Sequence, residues 1–346
     1  MKRKKTRAGA TLVAFALLLT VLTPGGYAAG KQQQRMLVPM GYAVGIQMFT
    51  NGVLVVGLSA AENGSAPSPA AQAGILPGDL ITKMGDDKIS SALDFRAAVG
   101  KLTGEPVKVK VQRASETKEL TLTPDMKSGA PELGLWLRDN VAGVGTMTYY
   151  DPQTGLYGGL GHSINDMDSG VMIPLGKGDL FRASVVGVKK SSPGAPGELC
   201  GDFTAQSPCG NILKNTRCGV FGQLKADRPD PSKAIAAADE AEIKLGPANI
   251  LTSVEGNETQ SFEVEITRVY RGETDGRSMM LSVKDQKLLE KAGGIVQGMS
   301  GSPIIQNGKL IGAVTHVLVS DPSKGFGVSI EKMLDESEEL SAENAA

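Results

Sequence analysis

Apolar positions along the chain fall into short runs and alternations broken by glycine-rich or proline-containing turns, a pattern that predicts many short strands. Val53-Leu54-Val55-Val56 is a continuous apolar run and reads as a buried strand. Val107, Val109 and Val111 alternate with Lys108 and Lys110, as in a strand with one wet face, and Leu120 and Leu122 offer a partner. Residues 90–102 carry Leu93, Phe95, Ala97 and Val99 among polar positions and are predicted helical. Beyond a polar stretch at 125–131, strands are predicted at 133–137, 144–150, 156–164, 183–188, 250–254, 262–266 and 279–283. A short helix over 286–292 should stop at Gly293-Gly294, and another is expected over 330–340. Short strands with glycine-rich turns in the second half predict a barrel or sandwich, so the chain is expected to be mostly β.

At 346 residues the chain has room for about two domains. Its 44 glycines, 18 prolines and 4% aromatics suit short strands and tight turns. Net charge is −1, from 36 basic and 37 acidic residues, which gives no nucleic-acid surface. Residues 1–30 read as an export signal: Lys2, Arg3, Lys4, Lys5 and Arg7, then an apolar run over 8–23, then small residues around Ala28-Ala29. The run is short for a span of about 20 residues, and a cleaved signal and a retained membrane anchor both fit. Either way the remainder is expected outside the cytoplasm. Cys200, Cys209 and Cys218 are evenly spaced rather than in close pairs, so no metal site and no cofactor are expected. One disulfide with a free thiol and three reduced thiols both fit.

Residues 36–124 make the first predicted domain. Ala73-Gly74-Ile75-Leu76-Pro77-Gly78-Asp79-Leu80-Ile81 sets a helical turn, a Pro-Gly turn and an apolar strand in succession. This stretch resembles the signature of PDZ domains. The resemblance implies that Ala43, Val44, Gly45 and Ile46 form a carboxylate-binding loop, which would hold a peptide segment or C-terminus as it adds as a β-strand. Residues 125–131 are expected to be a linker, 132–336 a second domain and 337–346 a solvated acidic tail.

The chemistry concentrates in Gly298-Met299-Ser300-Gly301-Ser302-Pro303, a small-residue turn between apolar stretches. Glycines allow a tight turn and close approach of a substrate. Such a turn would aim the N–H groups of Gly298 and Ser300 at one point, as an oxyanion hole. A serine hydroxyl needs a base, and the chain holds only two histidines, His162 and His316. His162 ends a predicted strand among small residues and is the candidate base. His316 follows the serine along an outgoing strand. With Val314 and Thr315 it is assigned to the strand that pairs with substrate, and it ranks second as base. The order of histidine first and serine last is that of trypsin-like enzymes, and the opposite of α/β-hydrolases. Candidates for the acid that orients His162 are Asp166, Asp168, Asp179 and Asp285.

GLGHSINDMDSG and SVKDQKLLEKAGGIVQGMSGSPIIQNGKLIGAVTH, with a PDZ domain ahead of them, resemble the stage IV sporulation protein B family of serine peptidases from endospore-forming bacteria. The resemblance implies a trypsin-like double β-barrel with Ser300 as nucleophile, His162 as base and Asp285 as acid. Asp285 lies nearer the serine in sequence than the acid of trypsin-like enzymes does. The resemblance also implies export into the space between the two forespore membranes and self-cleavage. It further implies cleavage of a membrane-bound regulator of an intramembrane protease, so that a late mother-cell sigma factor is activated. Partners would be protein substrates, the chain itself and that membrane-bound complex. Met299 before the serine excludes the buried Asp–N-terminus ion pair of many zymogens, so activation is expected through the PDZ domain or trimming of the N-terminal region. Ser302 is expected to be dispensable. The alternatives are an inactive PDZ adaptor and an envelope-stress protease, the latter disfavoured because those enzymes carry the PDZ domain after the protease.

Overall fold

The computed structural model describes residues 34–59, 67–204, 206–273 and 276–343. The predicted signal at 1–30 lies outside them. Two closed six-stranded antiparallel barrels dominate. The second is built by Gly246–Thr252, Gln260–Val269, Met279–Val283, Lys324–Ser329, Lys309–Val317 and Pro303–Gln306, in that order around the wall. Its inward positions, among them Ile250, Val264, Leu281, Ile304 and Val314, are fully buried.

The first barrel does not begin where the sequence placed it. Its wall runs through Ala43–Leu58, Leu135–Tyr150, Leu156–Gly159, Gly219–Leu224, Gly210–Thr216 and Lys177–Arg182, and closes back on Ala43–Leu58. The two long strands form one ribbon with two tenants. Ala43–Phe49 pairs with Asn140–Thr146 inside the barrel, and Leu54–Leu58 pairs with Leu135–Arg138 beyond it. The register breaks between them, at a kink where Gly52 lies at φ +156 and a Cβ would meet Ile81 O at 2.6 Å. On the far side of the kink the sheet continues through Leu80–Met84, Val107–Arg113 and Glu116–Leu122, flanked by the helices Pro69–Gln72 and Ala92–Val99. The PDZ unit is therefore inserted into the first barrel, not placed ahead of it.

The Gly78-Asp79 signature has a structural reason. Asp79 is fully buried, accepts from Leu76 N at 3.0 Å and pairs with Arg113 Nε at 2.6 Å. Removing the partly exposed Arg113 would leave the buried Asp79 carboxylate without its ion-pair partner, which is destabilising.

Three boundaries change accordingly. Residues 36–46 belong to barrel structure: Met36–Pro39 pairs with Ile235–Ala236 and with the end of Leu135–Tyr150. The expected linker is a small hairpin, Asp125–Lys127 against Ala130–Glu132. The expected tail is largely the end of the helix Ile330–Glu343, where Leu340 is buried beside Met333 and Glu338 holds Arg35 at 2.7 Å. Cys200, Cys209 and Cys218 are all free thiols.

Candidate active site

The serine turn is held from both sides. Its approach is the helix Gln286–Ala292, which ends at Gly293 in the left-handed region, φ +76. Gly298 and Gly301 are also left-handed, at φ +93 and +97. A Cβ on Gly301 would lie 1.9 Å from Thr146 O, so only glycine passes there. Gly301 N–H donates to Val314 O at 2.7 Å and Ser302 N–H to Met299 O at 2.9 Å. Among the described residues the N–H groups of Gly298 and Ser300 donate to no acceptor. Two unspent donors flanking a serine hydroxyl are what an oxyanion requires.

Thr146, in the first barrel, joins this turn to the histidine. Its N–H donates to Ser300 O at 2.9 Å and its hydroxyl to Gly298 O at 2.8 Å. Its carbonyl accepts Leu160 N–H at 3.1 Å, at the head of the turn that carries His162. Thr148 adds a bond to Gly301 O at 2.7 Å. Leu160 and Gly161 both have positive φ, +65 and +69, and this sharp turn carries the chain against Val314 and Thr315 of the second barrel. A leucine held there is a strained residue kept by its surroundings.

His162 and Ser300 line one cleft of about 440 Å³ between the barrels. His162 Nδ1 lies 2.7 Å from Ser163 O. A carbonyl only accepts, so Nδ1 carries the proton and Nε2 the lone pair, the tautomer a general base needs. The His316 ring stands beside it, centroids 4.7 Å apart and planes tilted by 34°. Burial, then the neighbouring His316, lowers the His162 pKa to about 4 against the opposing pull of the Ser163 carbonyl. Burial and Arg277 also lower that of His316. The Ser300 hydroxyl donates to Thr315 O at 2.5 Å.

The expected acids are engaged elsewhere. Asp285 is the N-cap of Gln286–Ala292, with Oδ1 accepting from Lys287 N at 2.9 Å and Leu288 N at 3.1 Å, and it does not line the cleft. No hydrogen bond joins Asp285 to His162 among the described residues, where Nδ1 of His162 faces Ser163 O and the Asp285 carboxylate caps a helix start. Asp166 is buried, bonded to Ser169 and ion-paired with Arg138, which Asp168 shares. Burial raises the Asp166 pKa, but those hydrogen bonds and Arg138 together lower it. Asp179 pairs with Lys177.

Of the proposed substrate strand, Thr315 and His316 line the cleft. Val314 does not: its N–H donates to Ser302 O and its carbonyl holds Gly301. The proposed carboxylate-binding loop, Ala43, Val44, Gly45 and Ile46, is a buried barrel strand paired on both edges, to Gly143–Thr146 and to Leu180–Arg182. Among the described residues both edges of this segment are taken by neighbouring strands, a Cβ on Gly45 would strike the Phe203 ring at 2.2 Å, and Ile46 lines the cleft that holds Ser300 and His162. Thr146 and Ser163 were not found from sequence. A threonine in an alternating strand and a main-chain carbonyl carry no sequence signal. Ser302 is fully buried and its hydroxyl has no partner among the described residues.

Residues 129–334 match the family model of the SpoIVB peptidase S55, and residues 44–123 match that of a PDZ domain. A curated relative, the "Putative zinc metalloprotease Atu1380" of Agrobacterium fabrum, is 33% identical over 79 residues, covering 23% of this chain and 21% of its own. The chain thus spans about a fifth of that relative's length. Among solved structures, the active form of the Rv3671c protease of M. tuberculosis is 16% identical, with 56% of this chain and 72% of that one covered and a TM-score of 0.33. The PDZ domain of an SdrC-like protein from Listeria monocytogenes is 22% identical, with 25% of this chain and 87% of that one covered and a TM-score of 0.22.

Proposed function

The chain belongs to the SpoIVB peptidase S55 family and is a serine peptidase, and on that premise we propose that Ser300 is its nucleophile and His162 its general base. The observation that carries this is the cleft that both residues line, with the unspent N–H groups of Gly298 and Ser300 beside the hydroxyl. In the acylation step the Ser300 oxygen bonds the scissile carbonyl carbon and its proton passes to His162 Nε2. The oxyanion is held by the two N–H groups, and the proton is then delivered to the leaving amine.

Substrates are proteins or peptides, as the peptidase and PDZ domains imply. We further propose the finer role that the family resemblance suggests: self-cleavage and cleavage of a membrane-bound regulator in the space between the forespore membranes. The strand Leu135–Arg138 supports a peptide-binding PDZ unit. Among the described residues it pairs on one side only, beside the helix Ala92–Val99, and Leu133-Gly134 leads into it. An extended peptide adds to such an edge.

The adaptor reading draws on one observation, the Ser300 hydroxyl turned onto Thr315 O. Labelling of the full chain by a fluorophosphonate separates the two. Labelling should be lost in Ser300→Ala and His162→Ala and retained in Ser302→Ala. A wild-type chain labelled neither by the fluorophosphonate nor by a peptidyl phosphonate that can take the Thr315 carbonyl would favour the adaptor instead.

A further inference from the structure

We propose that the first specificity pocket is shallow, uncharged and aliphatic, floored by the Ile295 side chain, and that substrates present a small or medium aliphatic residue on the acyl side of the scissile bond. The inference rests on the reading of Ser300 as nucleophile.

That residue must lodge between the segment leading into the serine and the outgoing strand after it. Residues Ile295–Gly298 and Thr315–Val317 line the cleft on those two sides. The return strand Lys324–Ser329 stands behind them, paired to Val317 through Gly325. A deep pocket would reach that strand. Here Ile295 intervenes: a Cβ on Gly325 would lie 2.6 Å from Ile295 Cδ1, so the isoleucine rests directly on the glycine backbone. Ile295 lines the cleft while Gly325 does not, and only 2% of its surface is exposed.

The floor is fixed in place. Ile295 N–H donates to Pro322 O at 2.8 Å, and a Cβ on Gly294 would meet Pro322 O at 2.1 Å. The segment therefore has no room to retreat from a bulkier guest. His316 O lies 2.7 Å from the same Cβ position, so the outgoing strand crowds that face of Gly325 beside Ile295.

The chemistry of the walls agrees. No Asp, Glu, Lys or Arg is among the described residues lining the cleft, which are mainly Ile, Val, Leu, Ala and Gly. An ammonium or carboxylate would be partly desolvated there with only neutral polar groups such as Asn165 and Gln297 in the lining and no opposite charge, which selects against it. An aromatic ring needs depth that Ile295 occupies. Aliphatic side chains gain burial against Ile295, Val296 and Val317.

The test is a series of peptidyl diphenyl phosphonates that differ only in the residue at the acyl position: alanine, valine, leucine, phenylalanine, lysine or aspartate. Ser300 Oγ bonds phosphorus, phenoxide leaves, and the serine proton reaches phenoxide by way of His162. A plain fluorophosphonate reports Ser300 reactivity without a side chain. The valine or leucine probe should label the full chain at least about tenfold faster than the lysine, aspartate and phenylalanine probes, the scale on which pocket size discriminates. Ile295→Ala should improve phenylalanine relative to valine by about tenfold, and Ile295→Val, which removes only Cδ1, should shift it in the same direction by less. Lysine or phenylalanine reacting as fast as valine in the wild type, with plain labelling intact, overturns the pocket and leaves the Ser300 reading standing. No labelling by any probe, the plain one included, overturns both.

Discussion

The Ser300 hydroxyl donates to the carbonyl of Thr315, 2.5 Å away, rather than to an imidazole. The nucleophile is thereby parked on the strand that lines the substrate's path. A substrate N–H that takes the Thr315 carbonyl would displace the hydroxyl and free it for His162. A peptidyl phosphonate should then label faster than its analogue N-methylated at the acyl-position residue, by about fivefold to tenfold for one hydrogen bond. Equal rates would show that Thr315 O plays no part in releasing Ser300.

Asp285 caps a helix, and capping can be separated from catalysis by substitution. Asn serves as an N-cap nearly as well as Asp, whereas Ala costs about 1 kcal/mol. Asp285→Asn should keep both thermal stability and labelling rate. Asp285→Ala should unfold earlier and label more slowly, because the helix leads into the serine turn. A drop of about 10⁴ in Asp285→Asn with unchanged stability would return Asp285 to the triad.

Thr146 bonds both turns, and its hydroxyl on Gly298 O steadies the backbone between the two oxyanion donors. Thr146→Val leaves the main-chain bonds in place but strands that carbonyl. The labelling rate should fall about fivefold, the equivalent of about 1 kcal/mol, and Thr146→Ser should restore it. Failure of Ser to restore the rate would mean that the methyl group's packing, not the hydroxyl, matters.

The pH profile should report the burial of His162. Its pKa is lowered to about 4, first by burial and then by His316, so the neutral base persists well below pH 6. The acid limb of the labelling rate should fall near pH 4 rather than near 6.5. The sign for stability follows from proton uptake. Between about 4 and 6.5 the unfolded chain binds the proton and the folded chain does not, so this group's contribution falls as pH drops through that window. A limb centred near 6.5 would show His162 to be solvated when it acts.

Much of the fold was legible because its signals are local. Val107–Arg113 alternates and is half-buried as the lysine–valine pattern requires. The Gly293 stop, the Gly298–Pro303 turn and the Gly78-Asp79 signature each depend on a few neighbouring residues. That Ser300 and His162 line one cleft was legible as an expectation for a different reason: with two histidines in the chain, a serine turn has few bases to choose from.

Readable from the chain alone, then, are the short-strand architecture, the PDZ signature and the candidate pair Ser300 and His162. The folded chain is needed to place Ala43–Ile46, because its position depends on pairing to Gly145 and Arg182, both remote in the chain. It is likewise needed to show that the PDZ unit is inserted into the barrel wall, that Asp285 is spent on a helix start, and that Thr146 joins the two turns. Hydrophobic period and turn chemistry act over a few residues and are written in the local sequence. Strand pairing and the competition for a carboxylate or a carbonyl are settled only when distant segments meet.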